Sequence, residues 1–281
     1  MSQQRRIFVL PTVAELREEE EFLNRRWDDF AHVQGLPLGP QHPVHPTKLV
    51  HERRTNKPYV LQSCAQISWT GSRAKLLEIA RRSDSFIPPR FMFVYEGNVF
   101  VGSEVVYSAD GQPAPTLADI IDCTLPISEI QAAAVVRALL ELEGKGVMYG
   151  RLKASNIFPC QDGRIRLAAF GTDLKPEGMR SLNSGCQELG HLANHMLTRI
   201  PRLLGKSQTK DQKLLIQTKS SRIEVDVNRE IGAIYLDFLE ACMDKDTSLE
   251  ALSKHKFLNG GPGPECFQIN VRHAELTALR Y

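Results

Sequence analysis

The sequence predicts an α+β fold in two unequal parts, a small sheet-rich half and a larger, mainly helical one. Three observations predict it. Between residues 48 and 107, short apolar runs alternate with turn residues, as strands and hairpins do. From 127 to 144, and again from 180 onward, apolar residues recur mostly at helical spacing. The two patterns meet at SADGQPAPT, residues 108–116, a run of small and turn-forming residues suited to a hinge. With 281 residues, the chain is long enough for one folding unit with two lobes.

Each element follows from its local pattern. Residues 14–32, AELREEEEFLNRRWDDFAH, set Leu16, Leu23, Trp27 and Phe30 on one stripe of an amphipathic helix, with acids toward its N-terminal end. That stripe serves either to pack on its own domain or to dock on a partner protein, so these four residues are the docking candidates. The prolines and glycines of VQGLPLGPQHPVHPT, residues 33–47, predict a linker. Next, KLVHERRTNKPYVLQSCAQISW reads as two strands joined by the polar turn RRTNK. RAKLLEIARR reads as a short helix, and FMFVYEGNVFVGSEVVY as a hairpin turning at Glu96-Gly97-Asn98.

Beyond the hinge, ISEIQAAAVVRALLELEGKG places Ile127, Ile130, Ala134, Ala138 and Leu142 on one helical face ended by Gly144 and Gly146. NIFPCQDGRIRLAAF reads as a second hairpin around Asp162-Gly163, with Ile165 and Leu167 alternating with Arg164 and Arg166. CQELGHLANHMLTRI and REIGAIYLDFLEACM are helical, and no internal repeat is present.

Composition excludes several classes. A charged fraction of 24% beside 42% hydrophobic residues is that of a globular chain, not a disordered one. The net charge of +2 leaves no global field for nucleic acid or an anionic membrane. The apolar run Ile7 to Leu10 is too short for a signal peptide, and no stretch approaches the roughly 18 residues of a membrane span. A cytoplasmic or nuclear protein, not a secreted one, is expected. The six cysteines form no C-x-x-C pair and read as reduced, mostly buried thiols. The histidines lack the H-E-x-x-H spacing, so no His/Cys metal site is expected.

From about residue 48 to 258 the chain resembles a eukaryotic protein kinase domain. The motif that carries the resemblance is RLKASNIFPCQDGRIRLAAFG, which looks like the kinase catalytic loop, its hairpin and the D-F-G turn in unbroken register. In that register H-R-D-L-K-x-x-N reads Tyr149, Gly150, Arg151, Leu152, Lys153, Ala154, Ser155, Asn156, and D-F-G reads Ala169, Phe170, Gly171. ERRTNKPYVLQ looks like the strand pair ending in V-A-I-K, with Gln62 at the lysine position. RAKLLEIARR resembles the helix that supplies the partner glutamate, with Glu78 or Lys75 at that place. The resemblance implies a bilobal fold: an N-terminal extension over 1–47, a β-rich N-lobe over 48–107, a helical C-lobe with a shortened activation segment over 108–259, and a C-terminal tail over 260–281.

The departures from the family pattern decide the expected function. A kinase needs an aspartate to take the substrate proton, a D-F-G aspartate and an asparagine for magnesium, a lysine on the phosphates and a glycine-rich cover. Arg151 stays protonated and offers no acceptor, so it cannot be a base. Ala169 gives magnesium no oxygen, and Asn156 alone is one neutral ligand for a hard cation. Gln62 is neutral, and PLGPQHPVHPTKLV holds no G-x-G-x-x-G. Only Thr172, Asp173 and Leu174 separate AFG from Lys175-Pro176-Glu177, a remnant of A-P-E.

The expectation is therefore a pseudokinase, a kinase-like domain with a degenerate ATP-binding site, acting as a protein-binding scaffold or allosteric regulator in signalling. Its catalytic residues are none, and ATP binding is weak or absent and not magnesium-dependent. Lys153, Asn156 and Glu78 are the weak nucleotide-binding candidates. The expected partner is a protein, an active kinase or another signalling protein, and not nucleic acid or membrane. Two alternatives stand beside it: a residual ATP-binding serine/threonine kinase with an unorthodox site, and a foldable but decayed product without a selected role. Arg151, Lys153, Arg164 and Arg166 read either as a basic patch for an acidic or phosphorylated partner segment, or as internal ion pairs and a solvated strand face.

Overall fold

In a computed structural model, polar turns close the first strands into an antiparallel sheet. The structure describes residues 24–35, 47–64, 83–108, 111, 113–123, 125–144, 152–168, 184–198, 213–217, 222–226, 232–259 and 264–278. β1 (Phe30–Gly35), β2 (Thr47–Glu52), β3 (Pro58–Cys64), β5 (Pro89–Tyr95) and β6 (Asn98–Glu104) form a five-stranded sheet in the order β1-β2-β3-β6-β5. The β5–β6 turn has positive φ at both Glu96 (48°) and Gly97 (74°), the backbone of a type I′ turn, whose twist matches that of the strands. The four-residue tip Arg53–Asn56 closes on Asn56 at φ 56°, with the Asn56 amide donating to the Glu52 carbonyl at 2.8 Å.

One face of this sheet is aromatic. Tyr59 and Leu61 share it with Phe30, Phe91, Phe93 and Phe100, while Val60 and Gln62 alternate to the other face. Phe91 lies opposite Gly102 in the register, and its ring occupies the space a side chain there would need. Trp27 closes the rim: it stacks on Tyr95 at 5.0 Å between centroids, and the Lys48 ammonium lies 4.9 Å above it.

This face corrects the last part of the helix expected over 14–32, of which residues 24–32 are described. Trp27–Asp29 is a short 3-10 turn, and Phe30 begins a strand antiparallel to β2. The reason is tertiary: as a strand residue Phe30 stacks on Phe91 and Phe93. The sheet thus starts within the extension expected over 1–47 and takes in residues 33–35 of the expected linker. Phe30 is 5% exposed and Trp27 half-buried, so these two docking candidates are packed within their own domain. Leu16 and Leu23 lie outside the described residues, as does the helix expected at RAKLLEIARR.

Below Phe30, Glu52 is nearly inaccessible and accepts hydrogen bonds from Arg25 and Thr55. Burial pushes its carboxyl up, but the bonds from Thr55 and Arg25 and the Arg25 and Arg54 charges outweigh that and hold it below the ordinary value of 4.5.

The second part is mainly helical. α1 (Leu117–Asp122) starts at a capping box between Thr116 and Asp119. α2 (Glu129–Gly144) starts at another, in which Ser128 and Gln131 bond each other's backbone amides. α2 is buried on most of its circumference, through Val135, Val136, Leu139 and Leu142 among others, but Ile130, expected on the inner face, is 46% exposed. Against α2 pack α3 (Ser184–Thr198) and the short α5 (Leu249–Ser253), and α4 (Ala233–Met243) packs on α3 and α5. Gly190 of α3 lets Cys242 of α4 approach, since a Cβ there would lie 2.7 Å from the Cys242 Cβ.

One feature departs from the helical pattern expected after residue 180, and a second from the expected C-terminal tail. β9 (Lys213–Gln217) and β10 (Arg222–Asp226) pair as an antiparallel ribbon. The expected tail over 260–281 enters the large core, where Phe267, Val271 and Ala274 are buried at the start and on the inner side of α6 (Gln268–Ala278). The Gln131 amide donates to the Cys266 carbonyl and to Asn270 Oδ1, both at 2.7 Å.

Two outcomes follow from this packing. Gly102→Ala should lower stability by about 2 kcal/mol or more, because an added Cβ would sit 2.2 Å from the Phe91 ring; denaturant unfolding measures it. For Glu52, a folded pKa below the unfolded one means its stabilisation is complete above pH 4.5 and fades as pH falls through the folded value. Glu52→Gln should cost about 2 kcal/mol at neutral pH and flatten the stability profile below pH 4.5.

Candidate functional site

The candidate site lies where β3 meets a loop and a second hairpin. After Leu152, the turn Ala154–Asn156 leads into β7 (Ile157–Pro159), which pairs antiparallel with β8 (Ile165–Ala168) around Gly163 at φ 82°. β8 also pairs in parallel with β4 (Phe86–Ile87), and the Leu167 amide donates to the Ser85 carbonyl at 2.8 Å.

Apolar residues gather at this junction. Val60 of β3 and Ala168 of β8 are buried together, with Ile87, Val105 and Phe158 packed against them. Ile87 and Phe158 also pack against Val106, Ala114 and Cys160. Gln62, on the same face of β3 as Val60, is 4% exposed and pairs across to Val101 of β6 and Thr47 of β2. The sequence resemblance sets the family's lysine at this position, and an amide is enclosed there.

The loop is held from behind. The Leu152 amide donates to Glu188 Oε2 of α3 at 3.3 Å, and the Leu152 side chain packs on the large core. Asn156 is buried; its amide bonds the Lys153 carbonyl at 3.0 Å, and its Oδ1 faces the Ser155 hydroxyl at 3.4 Å. Lys153 is half-buried. Arg151, Ala169 and Glu78 lie outside the described residues, so of the site candidates the structure places Gln62, Lys153 and Asn156.

The arginines of the hairpin pair internally. Arg164 Nε bonds Asp162 at 2.7 Å and its Nη1 reaches Asp84 at 3.1 Å, while Arg166 lies 3.9 Å from Asp162. Burial raises the Asp162 carboxyl, but the Arg164 backbone and side-chain bonds and both arginine charges carry it below the usual carboxylate range. Arg164 and Arg166 are thus ion-paired with acids of their own hairpin and with Asp84. Among the described residues, no group of three or more His, Cys, Asp or Glu side chains is arranged to hold a metal ion.

Sequence reasoning missed Glu188, which as a carboxylate on a helix carries no local mark of the loop amide it meets. It also missed the apolar cluster, although the large Phe158 beside Asn156 is visible in the sequence.

Over 171 residues the chain is 28% identical to the serine/threonine-protein kinase ppk11 of Schizosaccharomyces pombe. This similarity supports a kinase-like protein. The alignment covers 50% of this chain and 54% of the relative, so the chain spans about half the length of the curated relative it matches. No protein-family model matches the chain. The mixed sheet-and-helix architecture is compatible with a kinase-like fold, and among the described residues no helix is long and apolar enough to cross a membrane.

Glu188→Ala should release the kinase-like loop at its anchor. The expected outcome is faster hydrogen exchange at the Leu152 amide and a loss of about 1 kcal/mol in stability, with the β5–β6 amides unchanged.

Proposed function

We propose that the chain is a pseudokinase, a catalytically inactive kinase-like domain that serves as a protein-binding scaffold or allosteric regulator in signalling. The observation that carries this reading is Gln62, an uncharged amide 4% exposed on β3 at the position of the phosphate-holding lysine. A buried neutral side chain there cannot offset phosphate charge. The apolar packing of Phe158, Ile87 and Val105 on Val60 and Ala168 supports the same reading, since these side chains take up room beside Gln62.

The donor set also fits a magnesium nucleotide poorly. Asn156 contributes one neutral oxygen, directed at Ser155, and the sequence places Ala169 and Arg151 where two carboxylates are needed. Removing one transition-state donor costs about two to three orders of magnitude in rate, and here several independent elements depart together.

On this reading the two apolar cores, one on the aromatic face of the sheet and one around α2, are those of an N-lobe and a C-lobe. The partner is a protein, an active kinase or another signalling component, met in the cytoplasm or nucleus.

Calorimetry with ATP on the full chain, with and without magnesium, tests the proposal. The expected result is no binding in either condition. Magnesium-dependent binding, with phosphotransfer that is lost in Gln62→Ala, would establish the residual kinase instead.

A further inference from the structure

The β2–β3 tip presents a hydroxyl for which the kinase-like reading has no use. Arg53, Arg54, Thr55, Asn56 and Lys57 are all exposed. At the base of the tip the Thr55 hydroxyl donates to Glu52, the same buried carboxylate that pairs with Arg25. The Arg25 guanidinium lies 5.9 Å from the centroid of Phe91, and two residues later Trp27 stacks on Tyr95. One carboxylate is thus shared between the hydroxyl of an exposed threonine and the guanidinium that holds the N-terminal turn on the aromatic face.

We infer that Thr55 is a phosphorylation site for an arginine-directed protein kinase acting in trans, and that its phosphate detaches Arg25 from Glu52 and loosens Trp27 from the sheet. Two guanidiniums directly before the hydroxyl suit an enzyme whose peptide groove is acidic, and an exposed hairpin tip is open to such an enzyme.

The transfer balances simply. Thr55 Oγ1 attacks the γ-phosphorus of a nucleoside triphosphate, and the Oγ1–P bond forms as the bond to the β-phosphate oxygen breaks. The nucleoside diphosphate leaves with that electron pair, and the hydroxyl proton passes to the attacking enzyme's base.

The product changes both side-chain hydrogen bonds of Glu52. Its Thr55 donor is gone, and a phosphate of charge about −1.5 to −2 stands beside a carboxylate that is itself ionised at neutral pH. Like charges in one partly buried site repel, so one must leave. The phosphate carries three strong acceptors and has Arg53 and Arg54 beside it, so Arg25 is drawn outward to it and the turn before Trp27 follows.

The test uses the full chain carrying Trp69→Phe, which leaves Trp27 as the single indole of the two in the sequence. It is incubated with magnesium ATP and an arginine-directed protein kinase, the phosphosite is mapped by mass spectrometry, and Trp27 emission is recorded. The expected result is one phosphate on Thr55, a red shift of Trp27 emission, and about tenfold slower incorporation in the Arg53→Ala/Arg54→Ala variant. Thr55→Val should take no phosphate at this tip and keep the original emission, which assigns the shift to the phosphate and not to the lost hydroxyl. Phosphate absent from Thr55, or present there with Trp27 emission unchanged, would overturn the inference. Phosphate on Thr55 without added enzyme would overturn the action in trans, and the inactive reading with it.

Discussion

Two rungs of a parallel ladder, Phe86 against Leu167 and Ile87 against Ala168, are the constraint on which the rest of the structure depends. Because strand residues alternate in direction, the two rungs face opposite ways. Phe86 and Leu167 enter the large core around α2, while Ile87 and Ala168 meet Val60 on the face of the sheet's central strand, opposite the aromatic side. One short ladder therefore serves two apolar clusters at once, and the loop before β7 has its place because β8 is held in this way.

On this frame, the residues that shape the loop and those that would do chemistry part company. Leu152 is held by Glu188 and the core, Asn156 is enclosed, and the hairpin turns at Gly163. The charges around it are engaged elsewhere: Arg164 and Arg166 neutralise Asp162 and Asp84 at the surface. Shape asks only for packing and turn residues, which tolerate drift in polar neighbours. Phosphoryl transfer needs several charges in fixed places together. On the proposed reading, in which the domain binds a protein through its surface, the second set is not needed.

Much of the fold is legible in the residues themselves. Glu96-Gly97 and Asp162-Gly163 announce their hairpins because both turns need positive φ, which glycine adopts without strain. Trp27 and Phe30, three residues apart, carry the spacing of a helical stripe, yet the structure makes them a 3-10 turn and the start of a strand. What decides this is Phe91, Phe93 and Tyr95, far along the chain and beyond the reach of any local pattern. RIEVD alternates apolar and charged residues as a strand does, but helical patterns on both sides outweigh so short a signal. Of the candidate site, the placement of Gln62 beside Val60 follows from strand alternation, whereas the reach of Glu188 to Leu152 depends on how a helix packs behind a loop.

The Gln131 side chain joins the beginning of the helical part to its end. Its amide is buried and donates to Cys266 and Asn270, while its oxygen caps the helix it belongs to. A form of the chain ending before Pro264 would keep the helix and its cap but lose both acceptors of that amide and uncover the apolar surface on which Phe267, Val271 and Ala274 pack. The segment that resembles a tail in sequence is thus a keystone. Splicing, proteolysis or gene fusion at this end would act on the stability of the whole helical core, not on an appendage.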